Sequence, residues 1–171
     1  MEDSEIVKKI LQGNLNLFEE IVNRYEKQIL VYTKRILNNN QQDAEDTTAE
    51  TFFKCYKNLA SYNSQYKFSS WLYRIAHNNA INLISSKSKL FYFDINGFWQ
   101  IPSPAKEELP LTKQELEKIL DKLKFDDKNV LVLFYLEEKS LREISDILKI
   151  SENAVAKRLN RARERTRKLI T

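Results

Sequence analysis

The chain has 171 residues, 42% of them hydrophobic and 30% charged, with a formal net charge of +4; this allows one medium or two small domains and excludes a large multidomain enzyme. Only two glycines, one histidine and one cysteine occur, which rules out glycine-rich phosphate loops, zinc sites of the Cys and His type and internal disulfides. The acidic start is unlike a secretory signal, no apolar run approaches the roughly 20 residues of a membrane span, and a lone cysteine suits a reducing cytoplasm, so the composition points to a cytoplasmic binding protein rather than an enzyme.

Along the chain the apolar spacing is helical almost throughout. Ile6, Val7, Ile10 and Leu11 recur at helical intervals until Gly13-Asn14 interrupts them. A second helix is predicted over residues 15–37, carrying Leu17, Phe18, Ile21, Val22, Tyr25, Ile29, Val31, Tyr32 and Ile36, and it ends in a run of three asparagines. A third, over 41–59, opens with Asp43, Glu45 and Asp46, acids that favour the positive end of a helix dipole. A fourth, over 68–86, follows the polar loop 61–67. All three prolines, Pro102, Pro104 and Pro110, fall within nine positions and mark a linker. Its first part, with Leu90, Phe91, Phe93, Phe98 and Trp99, is apolar enough to dock on the chain's own domains.

Beyond the linker, helices are predicted over 112–123, 126–136, 140–148 and 151–170. Ser140-Leu141-Arg142-Glu143 is a capping box, in which the hydroxyl and the carboxylate each satisfy a free amide at the helix start. A three-residue turn, Lys149-Ile150-Ser151, leads into a last helix with the seam Val155, Leu159, Ala162, Thr166 and Leu169. Two helices around a tight turn, the second one basic, form a helix-turn-helix pattern. The expected architecture is all-α: an N-terminal four-helix domain (1–87) and a C-terminal four-helix domain containing a helix-turn-helix (111–171), joined by a proline-containing linker (88–110).

Charge separates these halves. Residues 1–86 hold ten basic and ten acidic groups, whereas residues 139–171 hold ten basic against four acidic, which suggests a localised contact with a polyanion. A solvated basic helix is the plain alternative. In a helix-turn-helix the second helix enters the major groove with its N-terminal turns on base edges. The outward positions are then Asn153, Ala156, Lys157, Asn160 and Arg161, followed by Arg163, Arg165, Arg167 and Lys168. Lys157 and Arg161 share a face and are of the type that reads guanine, Asn160 is of the type that reads adenine, and the later basic residues suit phosphates. On the fourth helix, Arg74, Asn78 and Asn82 form a polar row beside an aromatic-flanked loop, a pattern suited to single-stranded DNA. His77 has no nucleophile and orienting acid near it in sequence and is not read as catalytic.

Three segments carry a family resemblance: Asp43-Ala44-Glu45-Asp46 through Glu50-Thr51-Phe52, then Phe68-Ser69-Ser70-Trp71-Leu72-Tyr73-Arg74-Ile75-Ala76-His77-Asn78, and 140–165 with its ending Arg161-Ala162-Arg163-Glu164-Arg165. On them the chain resembles the two-domain, extracytoplasmic-function sigma factors of bacterial RNA polymerase, over nearly its whole length. The resemblance implies that Asp43, Asp46 and Glu50 meet core polymerase. It implies that the loop residues Tyr62, Asn63, Ser64, Gln65 and Lys67, with Arg74, Asn78 and Asn82, hold the minus-10 element as single strand, one base flipped into a pocket that Asn78 also lines. The helix-turn-helix, through Ser140, Asn153, Ala156, Lys157, Asn160, Arg161 and Arg163, would read the minus-35 element as duplex. Core polymerase, promoter DNA and an anti-sigma factor are the implied partners, with no cofactor, metal, small-molecule substrate or direct membrane insertion.

Four departures stand out. Ala49 replaces the usual glutamine of the polymerase-binding motif, Thr47-Thr48 replaces two apolar positions, Lys149 stands where the turn usually has glycine, and Ala156 replaces a polar reader. A one-component helix-turn-helix regulator binding duplex DNA only is the alternative, and it leaves the Trp-Leu-Tyr-Arg-Ile-Ala helix and the acidic helix before it without a role. A nucleic-acid enzyme lacks both metal and nucleophile constellations.

Overall fold

The computed structural model describes residues 1–87 and 108–171; the apolar part of the predicted linker lies outside the described residues. Helix α1 (Asp3–Leu11) buries Ile6, Val7 and Ile10 and carries Asp3 and Glu5 in its first turn. It stops at Gly13, whose φ of 109° suits a residue without a Cβ. A 3₁₀ turn over Leu15–Leu17 leads into α2 (Phe18–Ile36), which buries Ile21, Tyr25, Ile29, Tyr32 and Ile36 at helical spacing. Val31, expected on that stripe, is instead exposed. Asn38 and Asn39 then take left-handed conformations, which asparagine tolerates through its short polar side chain.

Asn40 caps α3 (Gln41–Lys57), its side chain accepting from the Asp43 amide at 3.0 Å. The inner face of α3 is Ala44, Thr47, Thr48, Thr51, Phe52 and Cys55. Of the two threonines that replace apolar residues, Thr48 satisfies its hydroxyl within the helix by donating to the Ala44 carbonyl at 2.7 Å, as Thr51 does to the Thr47 carbonyl at 2.7 Å. Helix α4 (Phe68–Lys87) buries Phe68, Leu72, Tyr73, Ala76 and Ala80 and packs on α2 and α3.

After Pro110, a capping box of Thr112 and Glu115 opens α5 (Lys113–Ile119). Helix α6 (Phe125–Leu131) runs on into a π-helical stretch, Val132–Leu136, where the predicted single helix over 126–136 widens by a residue per turn. The box of Ser140 and Glu143 opens α7 (Leu141–Leu148). Lys149 follows at φ 56°, ψ 42°, the left-handed conformation in which glycine was expected, at a cost on the order of 1 kcal/mol for a residue with a Cβ. Ser145 steadies the turn by donating to the Ile150 carbonyl at 2.6 Å, and Ser151 caps α8 (Glu152–Ile170). Helix α8 buries Val155, Leu159, Ala162 and Thr166 against α6 and α7. Leu169, assigned to the same seam, lies in its last turn and is half-exposed.

The two halves pack on one another, α4 against α7 and α2 against α6, and their buried apolar residues join in one core. At the centre of the contact the Tyr32 hydroxyl donates to Asn129 Oδ1 at 2.9 Å, and Asn129 Nδ2 lies 2.9 Å from His77 Nδ1. The Tyr32 bond fixes the orientation of the amide, so Asn129 donates and His77 Nδ1 accepts. All three groups are buried. Nearer the edge, Arg35 reaches two carboxylates of the other half, Glu117 at 2.5 Å and Glu137 at 2.9 Å. Glu137 also accepts from the Tyr73 hydroxyl at 2.7 Å.

Candidate nucleic-acid interfaces

Three surfaces carry the residues singled out in the sequence. On α3 the outer face presents Gln42, Asp46, Ala49, Glu50 and Phe53, all exposed. Asp46 accepts from Gln42 at 2.9 Å, Glu50 pairs with Lys54 at 3.4 Å, and Asp43, less exposed, pairs with Lys87 at 2.6 Å. Pairs this exposed add little to stability and leave the carboxylates available to a basic partner. Phe53 is 57% exposed, with Lys57 over its ring. Exposed acids flanking an exposed aromatic ring make a surface that is electrostatically and hydrophobically competent for protein contact.

The second surface is the loop 62–67 with the start of α4. The loop holds its own shape: the Tyr62 hydroxyl donates to the Tyr66 carbonyl at 2.7 Å, and Asn63 Oδ1 accepts from the Gln65 amide at 3.0 Å. Tyr62 packs against Phe68 and Trp71, anchoring the loop on α4. Ser64, Gln65 and Lys67 face solvent. An open groove of about 410 Å³ runs between this loop and the start of α1, lined by Asp3, Ser4, Tyr62, Ser64, Gln65 and Lys67 among others. Asp3 is held there by Arg24 at 2.6 Å and Tyr25 at 2.5 Å. Sequence reasoning missed this wall of the groove, because α1 reads only as an amphipathic helix.

Farther along α4, Asn78 and Asn82 are exposed as expected. Asn78 is not among the residues lining the groove; it sits ten residues beyond Phe68, about 15 Å along the helix. Arg74 is half-buried, its Nε donating to the Asp146 carbonyl of α7 at 2.9 Å, and Lys67 pairs with Glu143 at 2.9 Å. Burial lowers the Arg74 pKa, with the nearby Asp146 opposing that effect.

The third surface is the helix-turn-helix. Ser140 is taken up by its capping box. Asn153 and Lys157 are exposed, Ala156 and Asn160 partly so, and together they form the outward face of the first three turns of α8. Arg161 and Arg163 turn inward. Arg163 is 8% exposed, donates to the Tyr135 hydroxyl at 2.8 Å and to Asn160 Oδ1 at 3.0 Å, and lies over the rings of Phe134 and Tyr135. Arg161 Nε lies 4.0 Å from the buried Asp127, which Arg165 also pairs at 2.8 Å. The spacing holds a signal for Arg163: it follows Leu159 by four residues and Val155 by eight, on the edge of the buried stripe. Asp127, buried and negative beneath a basic helix, carries no such signal.

His77, on the inner side of α4, has its pKa lowered to about 4 by burial, with the charge of Arg158 adding to the effect. It stacks on Phe125 and accepts from Asn129. The ring is a neutral packing element of the contact between the halves. Among the described residues, no group of three or more His, Cys, Asp or Glu side chains is placed to hold a metal ion, and no helix is long and apolar enough to cross a membrane.

Comparison with known proteins places these surfaces in a family context. Residues 21–90 match the family model for Sigma-70 region 2, and residues 113–166 match that for Sigma-70, region 4. The ECF RNA polymerase sigma factor SigW of Bacillus subtilis is 36% identical over 176 aligned positions, covering 95% of this chain and 93% of that protein. The ECF RNA polymerase sigma-E factor of Haemophilus influenzae is 28% identical, covering 96% of this chain and 93% of that protein. Among solved structures, CnrH in complex with the cytosolic domain of CnrY superposes with a TM-score of 0.71 at 22% identity, over 98% of this chain and 96% of that one. The sigma factor RpoE in complex with the anti-sigma factor NepR from Bartonella quintana gives a TM-score of 0.67 at 18% identity, over 90% and 96%.

Proposed function

This chain belongs to the sigma-70 family, as an RNA polymerase sigma factor of the extracytoplasmic-function type, and from that premise we propose how its surfaces divide the work. It is an alternative sigma factor, acting in promoter recognition and transcription initiation. The exposed acidic face of α3, with Asp46, Glu50 and the ring of Phe53, takes the contact with core polymerase, and Asp43 joins once Lys87 is displaced. The loop 62–67 and the exposed amides of Asn78 and Asn82 receive the minus-10 element as single strand, where ring faces and base edges are both open to stacking and hydrogen bonds. Asn153, Ala156, Lys157 and Asn160 present the reading face to the minus-35 duplex, with Lys157 as the extended cation.

The observation that carries this reading is the pairing of two differently built DNA faces on one chain. One is a basic helix entered through a capped turn, suited to a groove. The other is a neutral amide row beside an aromatic loop, suited to unpaired bases. A chain with this division acts as a non-enzymatic initiation factor, by binding alone, in the cytoplasm where polymerase works. An anti-sigma partner fits the same reading, since the solved relatives RpoE and CnrH were each captured with a bound protein. Run-off transcription with purified core polymerase on a genomic promoter library tests it. Start-site-specific transcripts that depend on this chain are expected, and their absence on every promoter overturns the reading.

A further inference from the structure

The sequence sets Asn160 and Arg163 together among the groups that face the minus-35 duplex, but the fold gives them different tasks. Arg163 is 8% exposed. Its Nε donates to the Tyr135 hydroxyl at 2.8 Å and its Nη1 to Asn160 Oδ1 at 3.0 Å, while the guanidinium carbon lies 5.4 and 5.6 Å from the ring centroids of Phe134 and Tyr135. Phe134 and Tyr135 are neighbours in sequence, and on a regular α-helix their side chains would point about 100° apart. They belong instead to the π-helical stretch Val132–Leu136, whose wider turn brings successive side chains closer in direction. Both rings bear on one cation, which two rings and two hydrogen bonds then hold in place.

This clamp decides which end of the Asn160 amide faces inward. A guanidinium carries donors only, so the atom that meets Nη1 is the carbonyl oxygen and never the NH2 group. Oδ1 therefore points at a nearly buried partner, and Nδ2, across the amide carbon, is turned to the exposed side, with no partner among the described residues. Asn160 lies in the third turn of α8, and Ala156, four residues earlier, carries no polar group that could compete for that NH2. Asparagine reads adenine with both ends of its amide, the oxygen accepting from N6 and the nitrogen donating to N7. With the oxygen taken up by Arg163, only donors are offered to the groove. Guanine presents two acceptors there, N7 and O6, and thymine one, O4; adenine and cytosine present an amino group, which would meet the NH2 donor to donor.

We propose that Arg163 is a positioning residue that sets the base preference of Asn160: by holding Oδ1 it makes Asn160 a donor-only reader, which selects a keto base, guanine ahead of thymine, at its position in the minus-35 duplex. The proposal rests on the sigma reading above for the duplex itself. Arg163 touches no base, and its influence on recognition passes entirely through the amide it holds.

The test uses the full chain assembled with core polymerase on promoter fragments randomised over the minus-35 region, the bound fragments being sequenced. Asn160→Ala identifies the position, as the one where preference is lost. Wild type should favour guanine over adenine there about tenfold, the discrimination of one good base contact. Arg163→Met keeps an apolar chain against the two rings and removes both donors. The freed amide then turns between its two orientations, so guanine affinity falls only about twofold while adenine rises to match it, and preferences at all other positions stay as in wild type. Lost packing alone would weaken every sequence alike. Asn160→Asp offers the groove an acceptor in place of a donor and should move the preference to cytosine or adenine, so it decides the matter if circular dichroism shows Arg163→Met melting too early to assay. Selection of adenine by wild type at the Asn160-dependent position, the absence of any such position, or an unchanged guanine-to-adenine ratio in folded Arg163→Met overturns the proposal. A wild-type holoenzyme that selects no duplex overturns the sigma reading, and the base assignment with it. Heteronuclear NMR of the free chain still reports separately on the clamp, which requires Arg163 Nη protons protected from exchange in wild type and released in Asn160→Ala.

Discussion

Acidification offers a direct probe of the contact between the two halves, because His77 must stay neutral there. Its pKa falls from 6.5 to about 4 through burial, with Arg158 adding to the effect, and its Nδ1 accepts from Asn129; protonation at that nitrogen destroys the hydrogen bond. The unfolded chain therefore binds a proton at higher pH than the folded one. Stability is fully present above about pH 6.5 and declines as pH falls towards 4. The whole difference is about 3 kcal/mol, and about 2 kcal/mol of it is already lost at about pH 5. For a chain of this size 2 kcal/mol corresponds to a drop in Tm of about 4–8 °C. The reference is His77→Gln, which retains an acceptor and cannot titrate: its Tm starts lower and stays flatter across the same window. Thermal melts followed by circular dichroism at a series of pH values decide the matter. Parallel loss of stability by wild type and variant between pH 6.5 and 5 would refute a buried, neutral His77.

Other substitutions separate conformation, recognition and packing. Lys149→Gly relieves the left-handed backbone and should raise stability by about 1 kcal/mol, read as a higher Tm with unchanged duplex binding. Lys157→Ala should weaken binding of the minus-35 duplex by the holoenzyme by about 1–3 kcal/mol if the ammonium reads a base, with no change in Tm. Arg163→Ala should do the reverse, lowering Tm by stripping the cation from over Phe134 and Tyr135. Asn78→Ala should leave duplex binding intact and reduce permanganate reactivity of the minus-10 region, since single-strand contacts act only after opening.

Much of the fold follows from local rules that act within a few residues. Apolar spacing sets α3, α4, α7 and α8 to within two residues at both ends, whereas α2 begins three residues later than the pattern and α5 and α6 give way early to 3₁₀ and π turns; the Ser140 and Glu143 box forms as the pattern requires. Even the oddity at Lys149 is local, because the turn geometry demands a positive φ whatever residue stands there. The contact between the halves is different in kind. Tyr32 and Asn129 are 97 positions apart and Arg35 and Glu137 are 102, and each of these side chains alone reads as an ordinary core aromatic or a solvated charge. Only the juxtaposition gives them a role, and no periodicity encodes it. The same limit applies to Asn78, which the pattern sets on an exposed face of α4 but which does not line the groove beside the loop.

The basic tail shows why charge counted along a sequence overstates charge available to a ligand. Ten basic residues lie between 139 and 171, yet three arginines on one run of α8 are committed elsewhere. Arg161 and Arg165 lie against Asp127, which is 2% exposed, and Arg163 is spent on aromatic rings. Burying a carboxylate is unfavourable unless cations accompany it, and Asp127 is closely paired with Arg165 at 2.8 Å, with Arg161 farther off at 4.0 Å; a phosphate drawing Arg165 away would leave that carboxylate without its nearest cation. Helix position and charge made all three candidates for DNA, but their contacts within the fold argue against that role. On the proposed reading, what is left for the duplex is a narrow face around Asn153, Lys157 and Asn160, and the salt dependence of promoter binding should follow the few exposed cations beside it, at about 0.9 per phosphate neutralised, rather than the full tally of the tail.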